Sequence, residues 1–328
     1  MIERMSARPT LGARLMKLLG LAVLATALLA MAFRAPDRPL ESLVARWGPP
    51  PSEFMELTLS GGQTQFVHFR DEGPRTELPP IVLLHGAGAS LHTWEGWVKS
   101  LSATRRVITL DLPGFGLTGP SPLGDYGNDA YDSFLLSFFQ QLQIDRMVLG
   151  GSSMGGELAW QYAARHPAQI AALVLVDADG LAVPSELMPD PAHIPNSRAL
   201  QWLAGIFLPR PIVDRNLRDL YGDPAKVTAA VVDRHFELAL REGNRAAMVQ
   251  RLAQREPGRH DDLLARIQAP TLILWGGKDR LIPPVAAERL HQGIAHSTVQ
   301  VFPELGHVPQ EEDPVSTVQA VHTFLHSP

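Results

Sequence analysis

The sequence predicts an α/β protein in which a mostly parallel β-sheet is covered on both faces by helices. Two observations lead to this fold class. Short apolar runs of strand length alternate with longer amphipathic stretches of helical period along most of the chain. Several of these runs are apolar throughout and end in glycine or a polar residue, as buried parallel strands do. With 328 residues, 45% of them hydrophobic, the chain is long enough for one large core.

Seven segments have the composition of strands and four have the pattern of helices. The predicted strands are Phe66–Phe69, Ile81–Leu84, Val107–Leu110, Met147–Leu149, Leu173–Val176, Thr271–Leu274 and Val299–Phe302. The predicted helices are Asn128–Leu142, Gly155–Arg165, Pro284–Gly293 and Pro314–Leu325. This alternation is typical of a doubly wound sheet.

The run Gly151-Ser152-Ser153-Met154-Gly155 is the strongest functional signal in the chain. The pattern G-x-S-x-G falls on Gly151, Ser153 and Gly155, between a predicted strand and a predicted helix. A frame one residue earlier would need glycine at Met154, so Ser153 rather than Ser152 is the candidate nucleophile. Such a serine sits on a strained strand-to-helix turn, where the close backbone approach requires the flanking glycines.

Two polar residues follow predicted strands further along the chain. Asp279 comes after Thr271–Leu274, and His307 comes after Val299–Phe302. A serine hydroxyl needs a base to take its proton, and that base needs a carboxylate to fix its tautomer. The sequence therefore predicts a triad of Ser153, His307 and Asp279, in a chain order that differs from those of chymotrypsin and subtilisin.

With these motifs the chain resembles the α/β-hydrolase fold superfamily from about Glu53 to its C-terminus. The order of serine, aspartate and histidine matches that family. Further stretches that carry the resemblance are His85-Gly86, Asp111-Leu112-Pro113-Gly114-Phe115-Gly116, Gly306-His307-Val308-Pro309 and Glu312-Asp313-Pro314. They are similar to the cap-bearing branch, which includes meta-cleavage-product hydrolases, small esterases, epoxide hydrolases and haloalkane dehalogenases.

The resemblance implies further site residues. The oxyanion of a tetrahedral intermediate needs two preorganised N–H donors, and the family pattern places them on the backbone of Ala87 and Met154. Some members of the family keep their acid one strand earlier, so Asp177 stays open as an alternative to Asp279.

A helical cap is also implied by the resemblance. Between about residues 181 and 268 the alternation of strands and helices stops and amphipathic helical pieces take its place. This insertion follows the sixth strand of the family fold, and a loop of that length without its own structure would be unusual.

The identity of the nucleophile narrows the expected reaction. Haloalkane dehalogenases and related epoxide hydrolases carry aspartate at the elbow, whereas this chain has Ser153. Meta-cleavage-product hydrolases use serine, but their elbow often has asparagine where this chain has Ser152. We therefore expect a carboxylesterase that forms an acyl-enzyme with small or medium hydrophobic esters. Hydrolysis of a carbon–carbon bond is the alternative, and a non-catalytic binding scaffold is an alternative of another class.

The N-terminus has a different composition from the rest of the chain. An uncharged, mostly apolar run, Leu18–Phe33, would span roughly 24 Å as a helix, and about 28 Å if it begins at Leu15. Four cations precede it: Arg4, Arg8, Arg14 and Lys17. We expect residues 1–34 to form a hydrophobic helix that is either a membrane anchor or a signal peptide cleaved after Ala32. Residues 35–52 would then be a linker, and residues 53–328 a catalytic domain outside the cytoplasm.

The composition argues against several other kinds of site and partner. A net charge of −5 and a pI near 6.2 give no sign of a nucleic-acid partner. The chain has no cysteine, which excludes disulfides, thiol catalysis and thiolate metal sites. We expect neither a metal nor another cofactor, and the sequence leaves the oligomeric state open.

Overall fold

The fold was analysed in a computed structural model, which describes residues 11–59, 61–182 and 207–326. Residues 183–206, which belong to the expected cap, lie outside the described residues. Residues 1–10, which include Arg4 and Arg8 of the four N-terminal cations, also lie outside the described residues.

The described strands form an eight-stranded sheet in the order β1-β2-β4-β3-β5-β6-β7-β8. β1 pairs antiparallel with β2 and β2 antiparallel with β4, and the other pairs are parallel. The strands are β1 (Ser52–Thr58), β2 (Thr64–Glu72), β3 (Ile81–Leu84), β4 (Val107–Leu110), β5 (Met147–Ser152), β6 (Ile170–Val176), β7 (Thr271–Gly276) and β8 (Ser297–Phe302). The predicted fold class is confirmed.

The helices follow the same alternation. The described α-helices are α1 (Leu11–Phe33), α2 (Glu41–Trp47), α3 (Glu95–Leu101), α4 (Asn128–Gln141), α5 (Met154–Arg165), α6 (Arg210–Leu220), α7 (Ala229–Ala239), α8 (Asn244–Ala253), α9 (Val285–Gly293), α10 (Pro309–Glu312) and α11 (Pro314–His326). Short 3-10 helices cover Leu91–Trp94, Pro167–Gln169, Pro224–Lys226 and Asp261–Arg266. We call residues 207–266, which lie between β6 and β7 and contain α6, α7 and α8, the cap segment.

The sheet separates two apolar clusters, and strand β3 contributes to both. Ile81 and Leu83 point to the side where Trp94 and Trp97 are fully buried. Val82 and Leu84 point to the other side, which α4 and α5 cover. All four residues of β3 are buried, which explains why this strand reads as a wholly apolar run.

The N-terminal part of the chain contacts the folded domain through α2. Trp47 Nε1 donates to Glu237 Oε2 of the cap segment (2.8 Å), and His92 Nε2 donates to the Trp47 carbonyl (2.9 Å). The stretch expected to be a linker thus contains a helix, α2, and α2 contacts both the cap segment and the 3-10 helix Leu91–Trp94. Across the three described ranges, no helix combines the length and the apolarity that crossing a membrane requires.

The topology gathers the predicted site residues at one edge of the sheet. Ser153 follows β5, Asp177 follows β6 and Asp279 follows β7. The turn after β3 and the loop after β8, which carries His307, lie at the same edge because these strands run parallel. Ligand sites of open α/β sheets occur at this edge.

Candidate active site

Ser153 lies at the tip of the turn between β5 and α5. Its backbone has φ 53° and ψ −121°, a conformation that costs a residue with a side chain about 1–3 kcal/mol. Three backbone hydrogen bonds hold it: Ser153 N donates to the Val176 carbonyl (3.0 Å), and the Ser153 carbonyl accepts from Glu157 N (3.0 Å) and Asp179 N (3.0 Å). The turn leaves Ser153 9% exposed at the sheet edge.

The glycines on either side of Ser153 are required by close packing. A Cβ at Gly151 would collide with the carbonyl of Gly155. A Cβ at Gly155 would collide with the carbonyl of Leu84, the last residue of β3. The elbow can therefore press against the neighbouring strand only with glycine at both positions.

Asp279 and His307 form a buried hydrogen-bonded pair. His307 Nδ1 donates to Asp279 Oδ2 at 2.7 Å. Asp279 Oδ1 accepts from the backbone N–H groups of Leu281 (2.7 Å) and Ile282 (3.0 Å), so the carboxylate cannot rotate away. This arrangement leaves Nε2 of His307 as the nitrogen that can accept a proton. Among the described residues the Ser153 hydroxyl has no hydrogen-bond partner, and catalytic contacts of this kind often close only when substrate binds.

Asp177 lies beside this pair but is bonded differently. Its Oδ1 accepts from Gly276 N at 2.9 Å, and its side chain is completely buried. Burial, followed by the charge of Asp279, raises the pKa of Asp177 well above its usual range. Because two adjacent carboxylates do not both ionise readily, the raised pKa favours the protonated form of Asp177.

The three residues also form a potential cation-binding group. Asp177, Asp279 and His307 each place one ligand atom within 4.8 Å of the others. Nδ1 of His307 and Oδ2 of Asp279 already share a hydrogen bond, and a protonated Asp177 is a poor metal ligand. The donor set fits proton transfer better than metal binding.

The turn after β3 passes next to the serine. A Cβ at Gly86 would lie 3.1 Å from Cβ and 3.7 Å from Oγ of Ser153. Ala87 is the next residue in this turn, and Met154 begins α5 directly after the serine. Met154 therefore adjoins Ser153 in the chain, and Ala87 directly follows the glycine that lies against Ser153.

His85 orients this turn. Its Nδ1 donates to the Gly86 carbonyl (2.8 Å), and its Nε2 accepts from Leu112 N (2.9 Å). Burial lowers the pKa of His85, which keeps the ring neutral. With both ring nitrogens engaged, His85 is suited to holding the turn rather than to accepting a proton.

Two ion pairs with little solvent exposure attach the cap segment to the domain. Arg234 of α7 pairs with Glu311 of α10 at 2.5 Å, and Arg251 of α8 pairs with Glu157 of α5 at 2.8 Å. The pairing with Arg234 lowers the pKa of Glu311 to about 2, despite burial. The cap segment is therefore tied both to the helix that follows the serine and to the one that follows His307.

His235 of α7 contacts the turn after β3. Its Nδ1 donates to the Gly88 carbonyl (3.1 Å) and its Nε2 accepts from Arg234 (3.2 Å). Burial and the neighbouring Arg234 lower the pKa of His235 to about 4, so the ring is neutral near pH 7. Sequence reasoning missed Arg234, His235 and Glu311, because only the folded cap segment brings them together and no local pattern marks them.

A surface cavity of about 250 Å³ lies away from the serine. It is located at the start of α4, and its lining includes Leu59, Gln65, Pro113, Tyr131 and Phe134. None of the predicted site residues lines it, so it is separate from the elbow.

Comparison with known proteins identifies the family. Residues 79–314 match the model of the alpha/beta hydrolase fold family. The chain therefore belongs to this family, and the protein is a hydrolase.

Individual relatives show the range of activities within the family. The chain is 30% identical to a 2-hydroxy-6-oxo-2,4-heptadienoate hydrolase of Pseudomonas putida, with 84% of this chain and 97% of that protein covered. It is 32% identical to the dihydrolipoyllysine-residue acetyltransferase component of an acetoin cleaving system, also of Pseudomonas putida, over 75% of this chain. The match spans only 63% of that protein's length. Among solved structures, a bacterial membrane phospholipase A is similar, with 26% identity and a TM-score of 0.71 over 95% of this chain and 96% of that one.

Proposed function

We propose that this protein is a serine-dependent esterase that cleaves small or medium hydrophobic carboxylic esters through an acyl-enzyme. The observation that supports it is the hydrogen-bonded pair of His307 and Asp279 at the same sheet edge as the strained Ser153. A strained turn exposes the serine hydroxyl, and a histidine with a fixed tautomer can take the proton of that hydroxyl, as nucleophilic attack requires.

In the proposed first half-reaction, Ser153 Oγ attacks the carbonyl carbon of the ester while its proton passes to His307 Nε2. Asp279 stabilises the imidazolium, and the N–H groups of Ala87 and Met154 bind the oxyanion. The tetrahedral intermediate then collapses. The carbon–oxygen bond to the alcohol breaks, and His307 gives its proton to the departing alkoxide.

In the second half-reaction, water replaces the alcohol. His307 takes a proton from water as the oxygen attacks the acyl carbon, and a second tetrahedral intermediate collapses to release the carboxylic acid. The proton returns to Ser153 Oγ. Atoms balance to one ester and one water giving one acid and one alcohol.

The charge of the cap segment favours an uncharged ester. The carbon–carbon hydrolase relative is named for a dienoate, which carries a carboxylate. Arg234 and Arg251, the two arginines of residues 207–266 with at most 8% exposure, are each paired with a buried glutamate. Neither of these two arginines is free to bind a substrate carboxylate.

Carbon–carbon bond hydrolysis stays the second candidate, because the match to a hydrolase of that type covers 97% of its length. The two are separated by comparing kcat/KM for p-nitrophenyl esters of four to eight carbons with kcat/KM for a 2-hydroxy-6-oxo-dienoate. We expect the esters to be favoured by about 100-fold or more, which corresponds to about 2.7 kcal/mol of transition-state free energy. A preference for the dienoate would contradict the esterase proposal.

We further propose that the N-terminal segment carries the catalytic domain out of the cytoplasm of a bacterial-type cell. Four cations precede the apolar run Leu18–Phe33, and this excess of positive charge tends to stay on the cytoplasmic side. The similarity to a membrane phospholipase A supports placing the catalytic domain at a membrane.

The placement is tested by adding protease to spheroplasts that express the full chain. We expect the catalytic domain to be digested while a cytoplasmic marker stays intact. The mass of the mature chain then distinguishes an anchor from cleavage after Ala32. Complete protection of the domain in intact spheroplasts would contradict the placement.

A further inference from the structure

Glu312 is a buried carboxylate with three backbone partners. Its Oε2 accepts from the N–H groups of Gly306 (2.8 Å) and Gly222 (2.9 Å), and its Oε1 accepts from Asp223 N (2.8 Å). The side chain has no solvent exposure, and Lys226 Nζ lies 3.9 Å from Oε1. Both carboxylate oxygens are therefore used in hydrogen bonds.

These partners belong to two separate parts of the chain. Gly306 directly precedes His307, whereas Gly222 and Asp223 follow α6 in the cap segment. A further bond joins the same parts, since His307 N donates to the Leu220 carbonyl at 2.7 Å. We call residues 220–223 the cap turn. His307 is thus bonded directly to the cap turn, and Gly306 is bonded to it through Glu312.

The two backbones are in direct contact. A Cβ at Gly306 would lie 2.5 Å from Gly222 N, and a Cβ at Gly222 would lie 2.8 Å from the carbonyl carbon of Leu305. No side chain of the described residues separates the two segments, and the hydrogen bonds of Glu312 and of His307 N join their backbones. A displacement of the cap turn would therefore move the backbone of His307.

We propose that Glu312 is a positioning residue for His307, and that it makes the position of this base depend on the cap turn. Asp279 fixes the ring orientation through Nδ1, whereas Glu312 fixes where the backbone places the ring. Proton transfer requires Nε2 within hydrogen-bond reach of Ser153, and a shift of about 1 Å can cost about 100-fold in rate. The inference rests on the proposed esterase function.

The test shortens this carboxylate by one methylene in Glu312→Asp and compares it with Glu311→Asp. Glu311 is a matched control, since it is also largely buried and bonded to the cap segment, but among the described residues its carboxylate bonds only side chains, those of Arg234, Tyr221 and Thr93, and no backbone N–H next to His307. For Glu312→Asp we expect kcat for a p-nitrophenyl ester to fall about 10- to 100-fold, with KM within about twofold. For Glu311→Asp we expect kcat within about threefold of wild type.

If Glu312 had a purely structural role, Glu312→Asp would lower the fraction of folded protein but would not lower kcat per active site. Rates are therefore normalised to the concentration of active sites, which is titrated with a fluorophosphonate. In Glu312→Asp we also expect the fluorophosphonate to react with Ser153 more slowly, in parallel with the fall in kcat. Glu312→Gln keeps the length and one acceptor oxygen for Gly222 and Gly306, but its amide nitrogen faces the donor Asp223 N. We therefore expect its loss of kcat to be smaller than that of Glu312→Asp but larger than that of Glu311→Gln.

Equal losses of kcat in the two aspartate variants, or wild-type kcat in folded Glu312→Asp, would overturn the proposal. If Glu312→Asp does not fold, Glu312→Gln is compared with Glu311→Gln, and a kcat no lower in the former overturns it. If the wild-type chain neither reacts with the fluorophosphonate nor cleaves the ester, the proposed function itself fails.

Discussion

Ser153→Ala is expected to lower kcat for an activated ester by about 1000-fold or more. The hydroxyl oxygen is the atom that would form the acyl-enzyme, and alanine removes it without adding any new group to the site. The rate that remains would come from the oxyanion donors and from substrate binding alone. The measurement is the steady-state hydrolysis of a p-nitrophenyl ester by purified wild type and variant.

Ser152→Ala is the matched control in the adjacent position. The hydroxyl of Ser152 is buried and accepts from Gln310 Nε2 at 3.3 Å, so it belongs to the interior beneath the turn. We expect this variant to keep most of its activity. A nearly inactive Ser152→Ala beside an active Ser153→Ala would show that the elbow is in a different frame.

Asp279→Asn is expected to lower kcat by about 1000- to 10,000-fold while leaving the protein folded. Asparagine can keep the backbone bonds from Leu281 and Ile282, but its amide can favour the wrong tautomer of His307 and carries no charge to stabilise the imidazolium. Esterase kinetics give the size of the loss, and a thermal melt shows whether the fold is retained.

Asp177→Asn should have a much smaller effect on kcat. The raised pKa of Asp177 favours its uncharged form, so an amide of the same shape changes the charge of the site little. It can also keep the bond from Gly276 N. Near-normal activity in Asp279→Asn together with inactivity in Asp177→Asn would move the triad acid to the end of β6.

The sheet and the surroundings of the serine could be predicted because local constraints are strong there. Glycine at 151 and 155 is dictated by contacts within a few residues and with the adjacent strand. The parallel strands are buried on both faces, so they read as apolar runs. Strand β1 was missed because most of its residues are at least partly exposed, and its sequence lacks a clear alternation.

The contacts of the cap segment could not be predicted in the same way. Arg234 and Glu311 are separated by 77 residues, and Arg251 and Glu157 by 94. Nothing in the sequence around these residues distinguishes them from surface charges. Likewise Glu312 could be recognised as part of a family motif, but its role depends on the cap turn packing against Gly306.

The most direct test of the central claim is the site of covalent modification by a fluorophosphonate. The purified full chain is treated with the reagent, and its intact mass and peptides are analysed. We predict one adduct per chain, located on Ser153, with loss of esterase activity in proportion to labelling and no adduct in Ser153→Ala. Ester hydrolysis that persists without an adduct, or an adduct on a residue other than Ser153, would contradict an acyl-enzyme mechanism at this serine.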